Sequence, residues 1–207
     1  MKVWRYVLAA DTGTAPNYEA PCLTLALCKP QLRQNARPGD LVVAFAGRDL
    51  HENPDAIIWA GLLTESIGFA DYWRDPRFQS KKGAPPRVVD NIYEPHPGEP
   101  DGFKQHPHVF HDRDSKARDI GGRNVLIFGG PDVWVFRNSP PVLPKRFGLS
   151  MGNARRGHQI CHIDETAWHE IRDWLSTPTT NGRCFVAGNI AISASHQGAP
   201  SRSTRRC

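Results

Sequence analysis

The run Asp40-Leu41-Val42-Val43-Ala44-Phe45-Ala46 decides the fold class, together with Ala56-Ile57-Ile58-Trp59-Ala60-Gly61-Leu62-Leu63-Thr64-Glu65 beyond a polar loop at 49–55. Both runs are rich in β-branched and aromatic residues and read as strands. The first is apolar throughout, as in a strand of the buried type. Gly61 marks a bulge or a close approach between packed neighbours. Upstream, Val3-Trp4-Arg5-Tyr6-Val7-Leu8-Ala9-Ala10 reads as another strand, stopped by the turn residues Asp11-Thr12-Gly13-Thr14-Ala15-Pro16-Asn17. Leu23-Thr24-Leu25-Ala26-Leu27-Cys28 is a strand or the start of a helix. Pro30 suits a first helical turn, so 30–36 reads as one short helix closed by Pro38-Gly39.

Downstream, 69–78 holds a short helix that ends before Pro76. Residues 79–122 are loop-like, full of Pro, Gly, His and charge. Asn124-Val125-Leu126-Ile127-Phe128 and Val133-Trp134-Val135-Phe136 flank the turn Gly129-Gly130-Pro131-Asp132 and predict a hairpin. The clearest helix is 165–175, with Asp164 as N-cap and Ile163 and Trp168 as a hydrophobic staple. Its apolar face carries Ala167, Trp168, Ile171, Trp174 and Leu175, and Pro178 enforces the stop.

No regular strand–helix alternation runs through the chain. The expected class is α+β: a mostly antiparallel bent sheet or small β-barrel, with short helices plugging its ends and one long irregular insertion. The expected organisation is a single domain over 1–178, with the insertion at about 79–122. A weakly structured extension follows at 179–207, with some packing at Phe185-Val186-Ala187 and Ile190-Ala191-Ile192 and disorder after 193.

At 207 residues and a mean hydropathy of −0.50, the chain is polar yet long enough to bury a core. No apolar run reaches the ~18 residues of a membrane span. The start, Met1-Lys2-Val3-Trp4-Arg5, has no signal-peptide character, so a cytoplasmic location is expected. Five cysteines without a Cys-x-x-Cys pair read as reduced thiols. The formal net charge is +5, but no acidic residue follows Asp173, and four of the charges belong to Arg183, Arg202, Arg205 and Arg206. Residues 1–173 are therefore close to neutral. This favours a pocket for one base or nucleotide over a surface tracking a phosphate backbone. There is no Walker loop, dinucleotide fingerprint, zinc-deaminase pattern or nucleophile elbow.

Several residues carry candidate chemistry. Lys29 and Arg33 stand four apart near a helix start, would share one face and suit phosphate. Tyr72, Trp73 and Tyr93 sit among turn residues where an aromatic ring can stack on a base. Beside Tyr93, Asp90 and Asn91 offer groups for a base's Watson–Crick edge. Asp11 and Asn17 bracket a turn, and either cap it or face a ligand. Imidazoles and carboxylates crowd into His106, His108, His111, Asp112 and Asp114. Of these, His106, His108, His111 and Asp112 form an alternative divalent-metal set, although no cofactor is the favoured expectation. His158, Cys161 and His162, with Cys184 further on, match no zinc motif.

Segments from about 6 to 144 resemble the nucleotide modification associated domain 2 family. The resemblance rests on the 11–17 loop, Thr24-Leu25-Ala26-Leu27-Cys28-Lys29-Pro30-Gln31-Leu32-Arg33, and Gly39-Asp40-Leu41-Val42. It continues in Phe69-Ala70-Asp71-Tyr72-Trp73-Arg74-Asp75-Pro76-Arg77-Phe78, Asp90-Asn91-Ile92-Tyr93, a histidine-containing loop and Val125-Leu126-Ile127-Phe128. Val89 stands where the family has Gly. A looser resemblance is to PUA-like domains of the EVE and ASCH type, small bent barrels that bind nucleic acid or modified bases. Together these imply a module that binds a nucleotide or modified base within nucleic-acid modification or defence systems. The expected site is Asp11, Asn17, Lys29, Arg33, Tyr72, Trp73, Asp90, Asn91, Tyr93 and His108. The expected partners are nucleic acid or nucleotide, with proteins of a modification or defence system as further candidates and no membrane. Two rivals remain. One is a metal-dependent or acid–base enzyme acting on nucleotides or nucleobases, with His108 working beside Asp90, His111 or Asp112. The other is a scaffold subunit.

Overall fold

A computed structural model describes residues 1–152, 157–177 and 183–184. The strand pair read first lies at its centre. β1 (Lys2–Leu8), β3 (Leu41–Ala46) and β4 (Ile57–Leu62) are neighbours in a six-stranded sheet of order β10-β1-β3-β4-β9-β11. The remaining members are β9 (Val133–Val135), β10 (His158–His162) and β11 (Arg183–Cys184). Between β1 and β3 the chain crosses over through β2 (Leu23–Leu25) and α1 (Pro30–Asn35), so this pair is parallel. Among the described residues, all other strand pairings are antiparallel.

β3 lacks alternation because both faces of the sheet are covered. Val42, Ala44 and Ala46 join the cluster of Trp4, Tyr6 and Trp59. Leu41, Val43 and Phe45 join the opposite cluster, where Ile171 and Leu175 of α4 (Glu165–Leu175) lie. The first cluster also takes in Leu23, Leu25, Leu126 and Phe128. These belong to a second sheet of order β2-β8-β5, with β5 at Glu65–Gly68 and β8 at Asn124–Phe128. Asp164 caps α4, its carboxylate accepting from Ala167 N at 2.8 Å. The predicted apolar face of α4 is the one that packs, with Trp168 and Trp174 partly buried beside it.

Two expectations change. Residues 124–128 and 133–136 do not pair as a hairpin. β8 pairs with β5 and β9 with β4, so β4–β5 and β8–β9 form one bent antiparallel ribbon divided between two sheets. The bend is pinned at Thr64, whose N and Oγ1 both donate to Ile127 O, at 3.0 and 2.8 Å. A Gly-Gly-Pro-Asp turn signal records a chain reversal but not which partner each flank finds. The strands are also shared among three sheets, and no closed barrel forms among the described residues.

The 79–122 segment, read as irregular, holds structure. A 3-10 helix covers Pro76–Lys81, β6 (Tyr93–Pro95) and β7 (Phe103–Gln105) make a small two-stranded sheet, and α3 spans Arg113–Gly121. α3 is polar on nearly every side, which hid it from periodicity. α1 and α2 (Phe69–Arg74) fall where predicted. The 185–187 and 190–192 packing, the stop at Pro178 and the tail after 193 lie outside the described residues.

Gly61 is a site of close packing. A Cβ there would lie 3.1 Å from Phe128 Cδ1 and 3.3 Å from a Trp59 ring carbon. The register irregularity sits instead on β3, between Ala44 and Phe45. Gly61→Val is expected to cost about 1–3 kcal/mol through overpacking. The check is urea unfolding, where the midpoint should fall and the slope stay unchanged; an unmoved midpoint would refute the packing.

Candidate functional site

The residues picked out by sequence separate into distinct groups. In the first, Asp90 is buried and accepts from the Thr24 hydroxyl at 2.6 Å and the Tyr72 hydroxyl at 2.7 Å. Lys81, also buried, donates to Asn17 Oδ1 at 2.9 Å, and Asn17 Nδ2 donates to Gly13 O and Val88 O. Asn91 donates to Tyr72 O at 3.0 Å. Burial pushes the Asp90 carboxyl up and the Lys81 ammonium down, and each charge partly offsets the other's shift. Asn17, Tyr72, Asp90 and Asn91 thus spend their polar groups on the protein's own frame.

The second group centres on Asp119, fully buried in α3. Its Oδ1 accepts from Cys28 N at 2.7 Å. Its Oδ2 accepts from the Tyr93 hydroxyl at 2.9 Å and lies 2.6 Å from His111 Nδ1. On the far side of that ring, Nε2 lies 3.6 Å from Cys28 Sγ. Arg33 crosses the same region without exposure. Its donors reach Cys28 O at 2.7 Å, Asn124 O at 2.9 Å and the carbonyl of Asp119. Gly122 makes room for it, since a Cβ there would overlap the guanidinium. Burial pulls Arg33 down to about 10 against the upward pull of Asp119. Arg33 is consequently withdrawn from the face it was expected to share with Lys29.

The third group is on the surface. Trp73 is half-buried and stacks on His106 with centroids 5.0 Å apart, and Lys82 Nζ lies 4.1 Å from its ring centre. His106 Nε2 lies 2.8 Å from Glu94. Asp11 pairs with Arg137 at 2.5 Å. His108 Nδ1 accepts from the backbone N of Phe110 and of His111, and Asp112 caps α3 by accepting from Ser115 N. His106, His108, His111 and Asp112 therefore do not converge as a metal set. The backbone turns His111 inward, and the His108 ring meets it edge-on with centroids 5.3 Å apart, whereas His106 pairs with Glu94 and Asp112 caps α3.

Among the described residues, one group has metal-ligating spacing: Cys28, His111 and Asp119, whose ligand atoms lie within 4.8 Å of one another. Thiolate, imidazole and carboxylate suit a zinc-type ion. The two nitrogens of His111, however, face different partners, which makes a chain of three groups instead of a cage. Sequence reading missed Cys28 and Asp119. They stand 91 residues apart, and only the helical α3, unseen in the sequence, brings them together.

Cys28 also lines a cavity of about 270 Å³, near the lower end of the ~300–1,000 Å³ usual for small-molecule pockets. Its walls come from β1 (Val7), the turn residue Lys29, the first turn of α1 (Pro30, Gln31, Leu32), α3 (Arg118), and Gly157 with His158 at the start of β10. Among the described residues, Lys29, Arg118 and His158 are the ionisable cations or bases of this lining, and no carboxylate joins them. Lys29 Nζ donates to Val7 O at 3.2 Å and lies 4.7 Å from the Tyr6 ring centre.

The model of the family described as nucleotide modification associated domain 2 matches residues 1–191. The chain belongs to that family. No curated protein and no solved structure matches it. The name of this nucleotide modification associated domain links the chain to nucleotide modification. Among the described residues, no helix is long and apolar enough to cross a membrane.

The Asp119 carboxyl sits below its ordinary range. Burial pushes it up, but the bond and charge of His111, the Cys28 N–H and the Arg33 charge pull it further down. The stability it contributes is fully present above the unfolded aspartate value of ~3.9 and is lost as pH falls through the lower folded value. Asp119→Asn should be less stable than the wild type at pH 7, and the gap should narrow between pH 5 and pH 3. Urea midpoints across that range check this; a constant gap would contradict it.

Proposed function

We propose that this domain binds a nucleotide, with the phosphate held at the cavity between β1, α1 and α3. The observation that carries the reading is the charge of that cavity: among the described residues, Lys29 and Arg118 line it and no acidic side chain does. A cavity lined in this way favours an anion, and Arg118 supplies a guanidinium suited to bidentate phosphate contact. Gln31 adds an amide for a base or sugar. The family's association with nucleotide modification agrees with such a ligand. Of the residues expected at the site, this reading keeps Lys29. Arg33 and Tyr93 belong to the buried frame around Cys28 and Asp119, Asp90 and Asn91 are buried against Thr24 and Tyr72, and Trp73 stands apart from the cavity lining.

Calorimetric titration with a nucleoside monophosphate and the matching nucleoside tests the reading. The monophosphate should bind at least about tenfold more tightly, since a hydrogen bond to a charged group contributes roughly 1.5–3 kcal/mol. Arg118→Ala should remove most of that difference, and added salt should shrink it. Equal affinities for the two ligands in the wild-type protein would sink the reading.

A further inference from the structure

We infer that Cys28 is a catalytic nucleophile, activated by His111 and Asp119, that adds to an electrophilic carbon of the ligand in the cavity. The inference rests on the nucleotide-binding reading for the identity of its substrate, but not for the activation of the thiol.

Three features converge. First, Cys28 stands on a sharp turn between β2 and α1, with φ 55°, and Lys29 follows with φ 46°. Among the described residues only Arg123 is another non-glycine with positive φ, so this left-handed backbone is concentrated at the thiol. The turn is fixed from both sides, since Cys28 N donates to Asp119 and Cys28 O accepts from Arg33. Second, thiol, imidazole and carboxylate stand in line, with Sγ to Nε2 at 3.6 Å and Nδ1 to Oδ2 at 2.6 Å. Against a carboxylate, Nδ1 carries the proton, which leaves Nε2 to accept the thiol proton. Third, Cys28 itself lines the cavity. It is not disulfide-bonded.

The step is an addition. His111 Nε2 takes the proton of Cys28, and the Asp119 carboxylate stabilises the imidazolium. A thiolate lone pair then forms an S–C bond to one end of a polarised double bond in the nucleobase. The π pair moves to the far atom, which takes the proton back from Nε2. One S–H and one π bond are replaced by one S–C bond and one bond to hydrogen, and reversal releases the base. Acyl transfer fits less well. Its oxyanion needs a donor beside the nucleophile, whereas the Cys28 N–H is already committed to Asp119 at 2.7 Å. Cys28 is the catalytic residue, His111 its proton acceptor and Asp119 a positioning residue.

N-ethylmaleimide, whose polarised double bond undergoes the same addition, tests this on the full chain without any nucleotide. Peptide mass mapping separates Cys28 from the other four cysteines. The expected result is addition at Cys28 at pH 6 at least tenfold faster than at Cys161. Its rate should level off well below the ~8.5 of an ordinary thiol. His111→Gln should slow Cys28 at least tenfold at pH 6 and restore an ordinary thiol profile, with Cys161 unchanged. Asp119→Asn should shift the profile in the same direction. The wild-type profile is decisive if either variant fails to fold. Cys28 reacting no faster than Cys161 overturns the inference, as does a profile indifferent to His111. Reactivity that appears only after a chelator is added also overturns it, in favour of a metal held by Cys28 and His111. The titration above can fail while this succeeds, and the reverse, so the two failures are distinguishable.

Discussion

Asp119 carries a negative charge with no access to water, and much of the surrounding structure answers that fact. A buried carboxylate is tolerable only when hydrogen bonds and opposite charge replace its hydration. Its partners come from four places: the turn at Cys28, Tyr93 of β6, His111 of the loop before α3, and the nearby Arg33 of α1. Each is held where the carboxylate needs it. The demand of one charge therefore fixes the approach of α3 to α1, the inward turn of the histidine loop and the unusual backbone beside the cavity.

The same logic explains why several base-reading candidates proved internal. Asp90, Asn91, Tyr72 and Asn17 are polar residues within turn-rich sequence, the composition of a ligand pocket and equally of a buried polar frame. What separates the two is whether their donors and acceptors are already matched. Here Asp90 has two hydroxyls and a nearby ammonium, and Asn17 uses both ends of its amide. The matches of Thr24 with Asp90, 66 residues apart, and of Asn17 with Lys81, 64 apart, leave no mark in local sequence.

Legibility followed the range of the interaction. The apolar runs of β3 and β4, the proline-started α1 and the capped α4 rest on local rules and lie where the sequence put them. The Gly129–Asp132 turn was visible, but the choice of β4 and β5 as partners depends on packing between sheets. α3 was hidden because it is fixed by the buried bonds of Asp119 and by its Asp112 cap, not by an apolar stripe. With α3 unseen, Cys28 read only as one of five reduced thiols, and Asp119 could not be named as its partner.

The position of β1 also bears on how the protein is made. Among the described strands it is the first in chain order, yet it lies inside the sheet, between β3 and β10. β3 arrives some thirty residues later, whereas the β10 partners of Lys2 to Tyr6 are residues 158–162. During most of synthesis one hydrogen-bonding edge of an apolar strand is therefore uncovered, a template for pairing with another nascent chain. Lys2 and Arg5 are the charged residues of β1, and the Arg5 guanidinium donates to Ser150 O at 3.0 Å. The order of translation and the order of the sheet are thus opposed. Sheet closure waits for the last third of the chain, which makes that portion the gate through which the early strands pass from exposed to protected.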